Sequence, residues 1–157
     1  MPTMPEIASF QSLHKLSLPK AYVDFLATFD VPRWYLDARG SRIRFVPLKA
    51  SGSKRLLGLE VPVQLGEKPY PFFRLLSSHL EMWQEFTGQD FFDNVKGDSY
   101  DAKAIADSVC IAEDDNGELI FLAGDGAVWA HFHDGCQVEL LGASFEEYFA
   151  KCRADAT

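Results

Sequence analysis

From Ser108 onward the apolar positions come in short runs separated by turn residues. Val109 and Ile111 form the first run, Leu119 to Leu122 the second, Ala127 to Phe132 the third and Cys136 to Leu141 the fourth. Asp115-Asn116-Gly117-Glu118 lies between the first two. An Asn-Gly pair between apolar runs predicts a hairpin, because both central residues accept positive φ. Gly124-Asp125-Gly126 and Asp134-Gly135 supply the next turns from residues that tolerate left-handed backbone or bond their own turn. The pattern predicts a four-stranded antiparallel meander. Ser144-Phe145-Glu146-Glu147 follows with the spacing of a capping box, so a helix starts there, with Phe145, Phe149 and Cys152 on one face.

In the first half, Leu18, Tyr22, Phe25, Leu26 and Phe29 recur at helical spacing. Ser17 is placed as N-cap, Pro19 falls in the first turn, and Pro32 prevents extension. A shorter helix is more weakly signalled near Pro5 to Leu13. Arg42 to Leu48 alternates Ile43 and Phe45 with Arg42 and Arg44, as a strand with one wet face does. Leu56 to Gln64 reads as another strand, at an edge because of Pro62, and Pro69 and Pro71 interrupt the chain after it. Phe72 to Phe86 suits a helix stopping near Gly88, with a strand as the alternative at its start, and 89–107 reads as acidic loop with a short helix around Ala102 to Ile105. These elements predict an α+β fold in a single domain over 1–157, with its core at about 15–152. The sheet is expected to be mostly antiparallel, with helices packed on one face, an N-terminal helix and a C-terminal capped helix.

Acidic residues, an NG turn, an apolar strand, a GDG turn, a V-W strand, an HDG turn and then ASFEEYF resemble, in that order, the C-terminal half of the SUKH superfamily. Leu18-Pro19-Lys20-Ala21-Tyr22-Val23-Asp24-Phe25-Leu26 is similar to the opening helix of the same family. The matching parts bracket a middle, about Arg33 to Asp107, with no residue-by-residue match. The resemblance implies an α+β interaction module. Many bacterial members are immunity proteins that bind and neutralise polymorphic toxins, and others are regulatory or scaffolding domains.

Charge sharpens this picture. Residues 1–80 hold 11 Lys or Arg against 6 Asp or Glu, whereas residues 81–157 hold 4 against 17, within a net charge of -8. An acidic second half argues against nonspecific nucleic-acid binding and would speed the approach of a basic partner; the same charge also serves solubility. The start, MPTMPEIASF, lacks a basic region followed by an apolar one, and no apolar run reaches membrane-helix length, so a soluble cytoplasmic protein is expected. Cys110, Cys136 and Cys152 are widely spaced among apolar neighbours and read as reduced, buried thiols.

His131 and His133 on one strand face, with Cys136 beyond a turn, suggest metal ligation, but no further cluster is spaced to complete a site and no metal is expected. Asp114 to Glu118 lacks the alternation of a calcium loop. There is no G-x-S-x-G elbow, and the glycines at 124 and 126 do not lead into a helix, so neither catalysis nor a cofactor is expected.

Alternation along the last two strands separates Val128, Ala130 and Phe132 from Trp129 and His131, and Cys136, Val138 and Leu140 from Gln137 and Glu139. The expectation is that the Val128 and Val138 face takes the helices. Trp129, His131, Gln137 and Glu139 then reach an open face, with Asp114, Asp115, Glu118, Asp125 and Asp134 around its rim. Trp129 would anchor a protein partner; the alternative is a core residue beneath a loop. The partner expected is a toxin domain with a basic surface, such as a nuclease, neutralised by stoichiometric occlusion. The alternatives are a regulatory or scaffolding module, a small-ligand sensor, and an enzyme using the His131 and His133 region. No contact with nucleic acid or membrane is expected, and the oligomeric state is open.

Overall fold

The computed structural model describes residues 3–28, 34–45, 62–65, 68–71, 92–93, 99–100, 108–132 and 137–155. Helix α1 spans Met4–His14, with Pro5 in its first turn and the Thr3 side chain accepting from the Glu6 N–H. It ends in a Schellman turn at Lys15, which takes left-handed backbone (φ 53°). The Leu16 N–H reaches back to the Gln11 carbonyl (2.8 Å) and the Lys15 N–H to that of Ser12 (3.4 Å). Gln11 also accepts the Leu18 N–H on its side chain (2.8 Å), tying the linker to α1. Helix α2 spans Lys20–Thr28, and its first carbonyl, that of Pro19, accepts from Val23. Its start is therefore later than the Ser17 cap expected from sequence, because Leu18 is held by α1.

One seven-stranded antiparallel sheet organises the fold, in the order β10-β9-β8-β7-β2-β1-β11. Its strands are β1 Trp34–Leu36, β2 Arg42–Phe45, β7 Val109–Asp114, β8 Leu119–Leu122, β9 Val128–Phe132, β10 Gln137–Gly142 and β11 Arg153–Ala154. Strands β7 to β10 form the meander read from the turns. Helix α3, Phe145–Ala150, follows it directly. Ser144 accepts from the Glu147 N–H (3.1 Å), and the Glu147 carboxylate accepts from Ala143 (3.2 Å), so the capping box closes one residue before the cap.

Two short ribbons lie outside this sheet: β3 Pro62–Leu65 with β4 Lys68–Pro71, and β5 Phe92–Asp93 with β6 Ser99–Tyr100. Pro69 and Pro71, expected to interrupt the chain, are instead within β4. A two-stranded ribbon has an outer edge with no ladder to supply, and proline is tolerated there. The helix expected over 72–86, the short helix at 102–105 and the first part of the strand expected from Leu56 lie outside the described residues.

Helices α2 and α3 pack on the sheet face that carries Tyr35, Ile43 and Phe45. Phe25 of α2 has its ring centroid 4.9 Å from those of both Phe45 and Phe149, and 5.3 Å from that of Phe145. Tyr35 meets Phe149 edge-on at 5.8 Å. Offset and edge-on aromatic pairs of this kind each add about 0.5–1.5 kcal/mol beyond area burial. Cys110, Phe121 and Val138 are fully buried, and Leu119 nearly so, on the sheet's second face.

Candidate partner-binding surface

The turn joining β7 to β8 is built around a carboxylate. Asp114 Oδ1 accepts the N–H groups of Asn116 and Glu118, both at 2.9 Å, and Gly117 closes the turn at φ 82°. Asp114 is buried, so its carboxylate serves the turn and not the surface. Asp115 is exposed at the tip, its N–H donating to the Arg42 carbonyl (3.0 Å), and Glu118 is half-buried. Asp125 is exposed in the next turn, where its Oδ1 accepts from Ala127 (3.0 Å). These turns flank β8 at its opposite ends, about 13 Å apart at the usual rise per strand residue. The described acidic turns therefore form two separate sites and not one rim. Asp134 lies outside the described residues.

Pairing register corrects the expected division of faces. Trp129 stands opposite Phe121 and Leu140, and His131 opposite Leu119 and Val138. Residues directly opposite in an antiparallel pair point the same way, so Val138 belongs with Trp129 and His131. Glu139 stands opposite Ala130 and belongs to the helix-bearing face, with Val128. A one-residue difference in register exchanges every side chain between faces, and such a difference separates the expected pairing from the observed one. Exposure corrects it a second time. Trp129 is 9% exposed and His131 1%, both on the face away from the Phe25 cluster, so neither reaches an open surface.

The second face is open where β1, β2 and β11 carry it. Trp34 stands opposite Arg44, and Leu36 opposite both Arg42 and Arg153. The guanidinium carbon of Arg42 lies 4.6 Å from the Trp34 ring centroid and that of Arg44 5.4 Å, both within cation–π range. Arg42 Nε donates to Asp155 (2.7 Å), and Arg44 pairs with Glu113. Trp34 and Leu36 are half-buried and Arg153 is exposed. The signal for this cluster was the Arg42 and Arg44 alternation, but Trp34 precedes it in a strand too short to show a period.

The described titratable groups do not point to nucleophilic chemistry. Cys110 is buried, and burial, with Asp37 adding to it, pushes the Cys152 thiol up to about 11. A thiol in that state is inert at neutral pH. Burial likewise pushes the Tyr22 and Tyr148 phenols up. Asp37 is held by the Arg39 guanidinium (2.7 Å) and by the backbone of Arg39 and Ser41, and it shapes the β1–β2 turn. Among the described residues no three His, Cys, Asp or Glu side chains gather where a metal could sit; His133 and Cys136 lie outside them.

Comparison with known proteins adds one match. The family model of the SMI1 / KNR4 family (SUKH-1) matches residues 1–151. No curated protein and no solved structure matches the chain. Among the described residues, no helix is long and apolar enough to cross a membrane.

Proposed function

We propose, from the premise that the chain belongs to the SMI1 / KNR4 family (SUKH-1), that it is an immunity protein acting in the cytoplasm on a cognate bacterial toxin. The family match, which runs through nearly the whole chain, carries this reading. Its mechanism is binding alone: the protein covers the toxin's active site in a stoichiometric complex and makes or breaks no bond. The toxin has a basic surface. Asp115 and Glu118, at the tip of the β7–β8 turn, steer its approach, and Asp125 adds to the field from the other end of β8. Trp129, His131 and Asp114 contribute from within, as residues that hold the strands and the turn in place.

Co-expression with the toxin encoded beside the gene tests the reading. Rescue of growth together with a one-to-one complex on size-exclusion chromatography is the expected result. The D115K and E118K double variant should then associate about tenfold more slowly at low salt, with little change in dissociation. Failure to rescue, with co-purification in a housekeeping complex instead, would select a regulatory role. An association rate indifferent to both salt and charge reversal would remove the electrostatic part.

A further inference from the structure

The sheet face that carries Trp34 changes character along its width. On β7 to β9 it is covered, with Cys110, Leu119, Phe121 and Trp129 buried, and on β10 Val138 is buried while Leu140 is exposed. On β2, β1 and β11 it stays accessible, and three arginines share it with two apolar side chains. Arg42 and Arg44 flank Trp34, and Arg153 stands beside Leu36 across the β1–β11 pair. Each of the first two is fixed by a carboxylate, Arg42 by Asp155 and Arg44 by Glu113. One ion pair leaves most of a guanidinium's N–H donors still available. Arg153 has no ion pair among the described residues, so the three arginines outnumber the two acids that hold them.

We propose that this face is a docking surface for an acidic, extended segment of a protein partner, with Trp34 as its apolar anchor. Charge complementarity fixes the choice of partner. On this face Arg42, Arg44 and Arg153 stand against Glu113 and Asp155, an excess of one positive charge in a chain whose net charge is -8. Planar guanidinium forks donate to carboxylates in paired geometry, and tryptophan and arginine are among the residue types that dominate binding energy at interfaces. The ion pairs to Asp155 and Glu113, and the stacking on Trp34, hold both forks in place before any partner arrives. Preorganisation of that kind lowers the ordering cost of binding. A nucleic acid would meet the same arginines, but three guanidiniums, two of them already held by carboxylates, neutralise too few phosphates for the affinity that counterion release supplies. This inference does not rest on toxin neutralisation.

The test uses the full chain and three fluorescent probes: a decapeptide of alternating Glu and Val, its Lys and Val counterpart, and a single-stranded decadeoxynucleotide. Fluorescence anisotropy at low salt should show saturable binding of the Glu and Val peptide alone. Trp34→Ala and Arg44→Glu should each weaken it about tenfold or more. Arg153→Glu, in an exposed two-residue strand, should weaken it severalfold, and it keeps the test decisive if a hairpin variant fails to fold. Absence of peptide binding at millimolar concentration, equal binding of the basic peptide, preference for the oligonucleotide, or unchanged affinity in folded variants would each overturn the proposal. The growth-rescue experiment reads none of these quantities, so either conclusion can fail without the other.

Discussion

Gly142 and Tyr148 approach so closely that a Cβ on Gly142 would sit 3.1 Å from both the Cβ and the backbone nitrogen of Tyr148. The Ser144 carbonyl oxygen would be 3.2 Å away. A Cβ there would force the corner from β10 into α3 to give by a few tenths of an ångström, and the obstructing atoms are backbone and the Tyr148 Cβ, which cannot swing aside. Gly142→Ala should therefore destabilise the fold by about 1–3 kcal/mol, measured by chemical denaturation. An unchanged midpoint would mean that the corner relaxes freely.

Asp114 offers a second stability test. Replacing it with Ala removes the acceptor of two N–H groups in a buried setting and should cost about 2 kcal/mol. Asp114→Asn, which keeps an oxygen there, should cost less. Asp115→Lys, at the exposed tip, should leave the melting temperature nearly unchanged. That contrast separates turn chemistry from surface charge, and it makes Asp115 and not Asp114 the residue for charge reversal.

Lys15 occupies left-handed backbone that glycine adopts without strain. Since the Schellman bonds at Leu16 and Lys15 involve backbone alone, Lys15→Gly keeps them. The variant should gain about 0.5–1 kcal/mol, seen as a higher thermal midpoint. A loss would show that the lysine side chain has a role of its own.

Alkaline pH should weaken the fold through Cys152. Its folded pKa, about 11, lies above the ordinary 9.0, so the native state keeps a proton that the unfolded chain gives up. The sign follows from linkage: the contribution is complete below pH 9 and is lost as pH rises to about 11. Tyr22 and Tyr148, also pushed up by burial, extend the loss above pH 10. Denaturant midpoints taken from pH 8 to 11 should fall, and Cys152→Ala should flatten the first part of that slope.

Turn chemistry made most of the fold legible. Gly117 and Gly126 take the positive φ their turns need and Ser144 with Glu147 closes the cap, but Asn116 does not take positive φ, because the Gly117 N–H bonds the Asp114 carbonyl and Asp115 and Asn116 are the central residues. Face assignment needed more than local chemistry. Whether Val138 lies beside Trp129 or across the sheet from it depends on one residue of register between β9 and β10, and no alternation within a single strand fixes that. The open face at Trp34 was not legible either, because β1 and β11 are three and two residues long. Their pairing joins distant parts of the chain.

That last pairing also orders the birth of the fold. The Arg42–Asp155 bridge spans 113 positions and the β1–β11 ladder slightly more, so β1 lacks its outer neighbour until β11 has been synthesised. Contacts this distant close late, after loop entropy has been overcome. A nascent chain therefore carries the Trp34 to Phe45 hairpin with both edges bare until β7 has been made, and Arg42 and Arg44 on β2 are charges of the kind that keep such an edge from pairing with its neighbours.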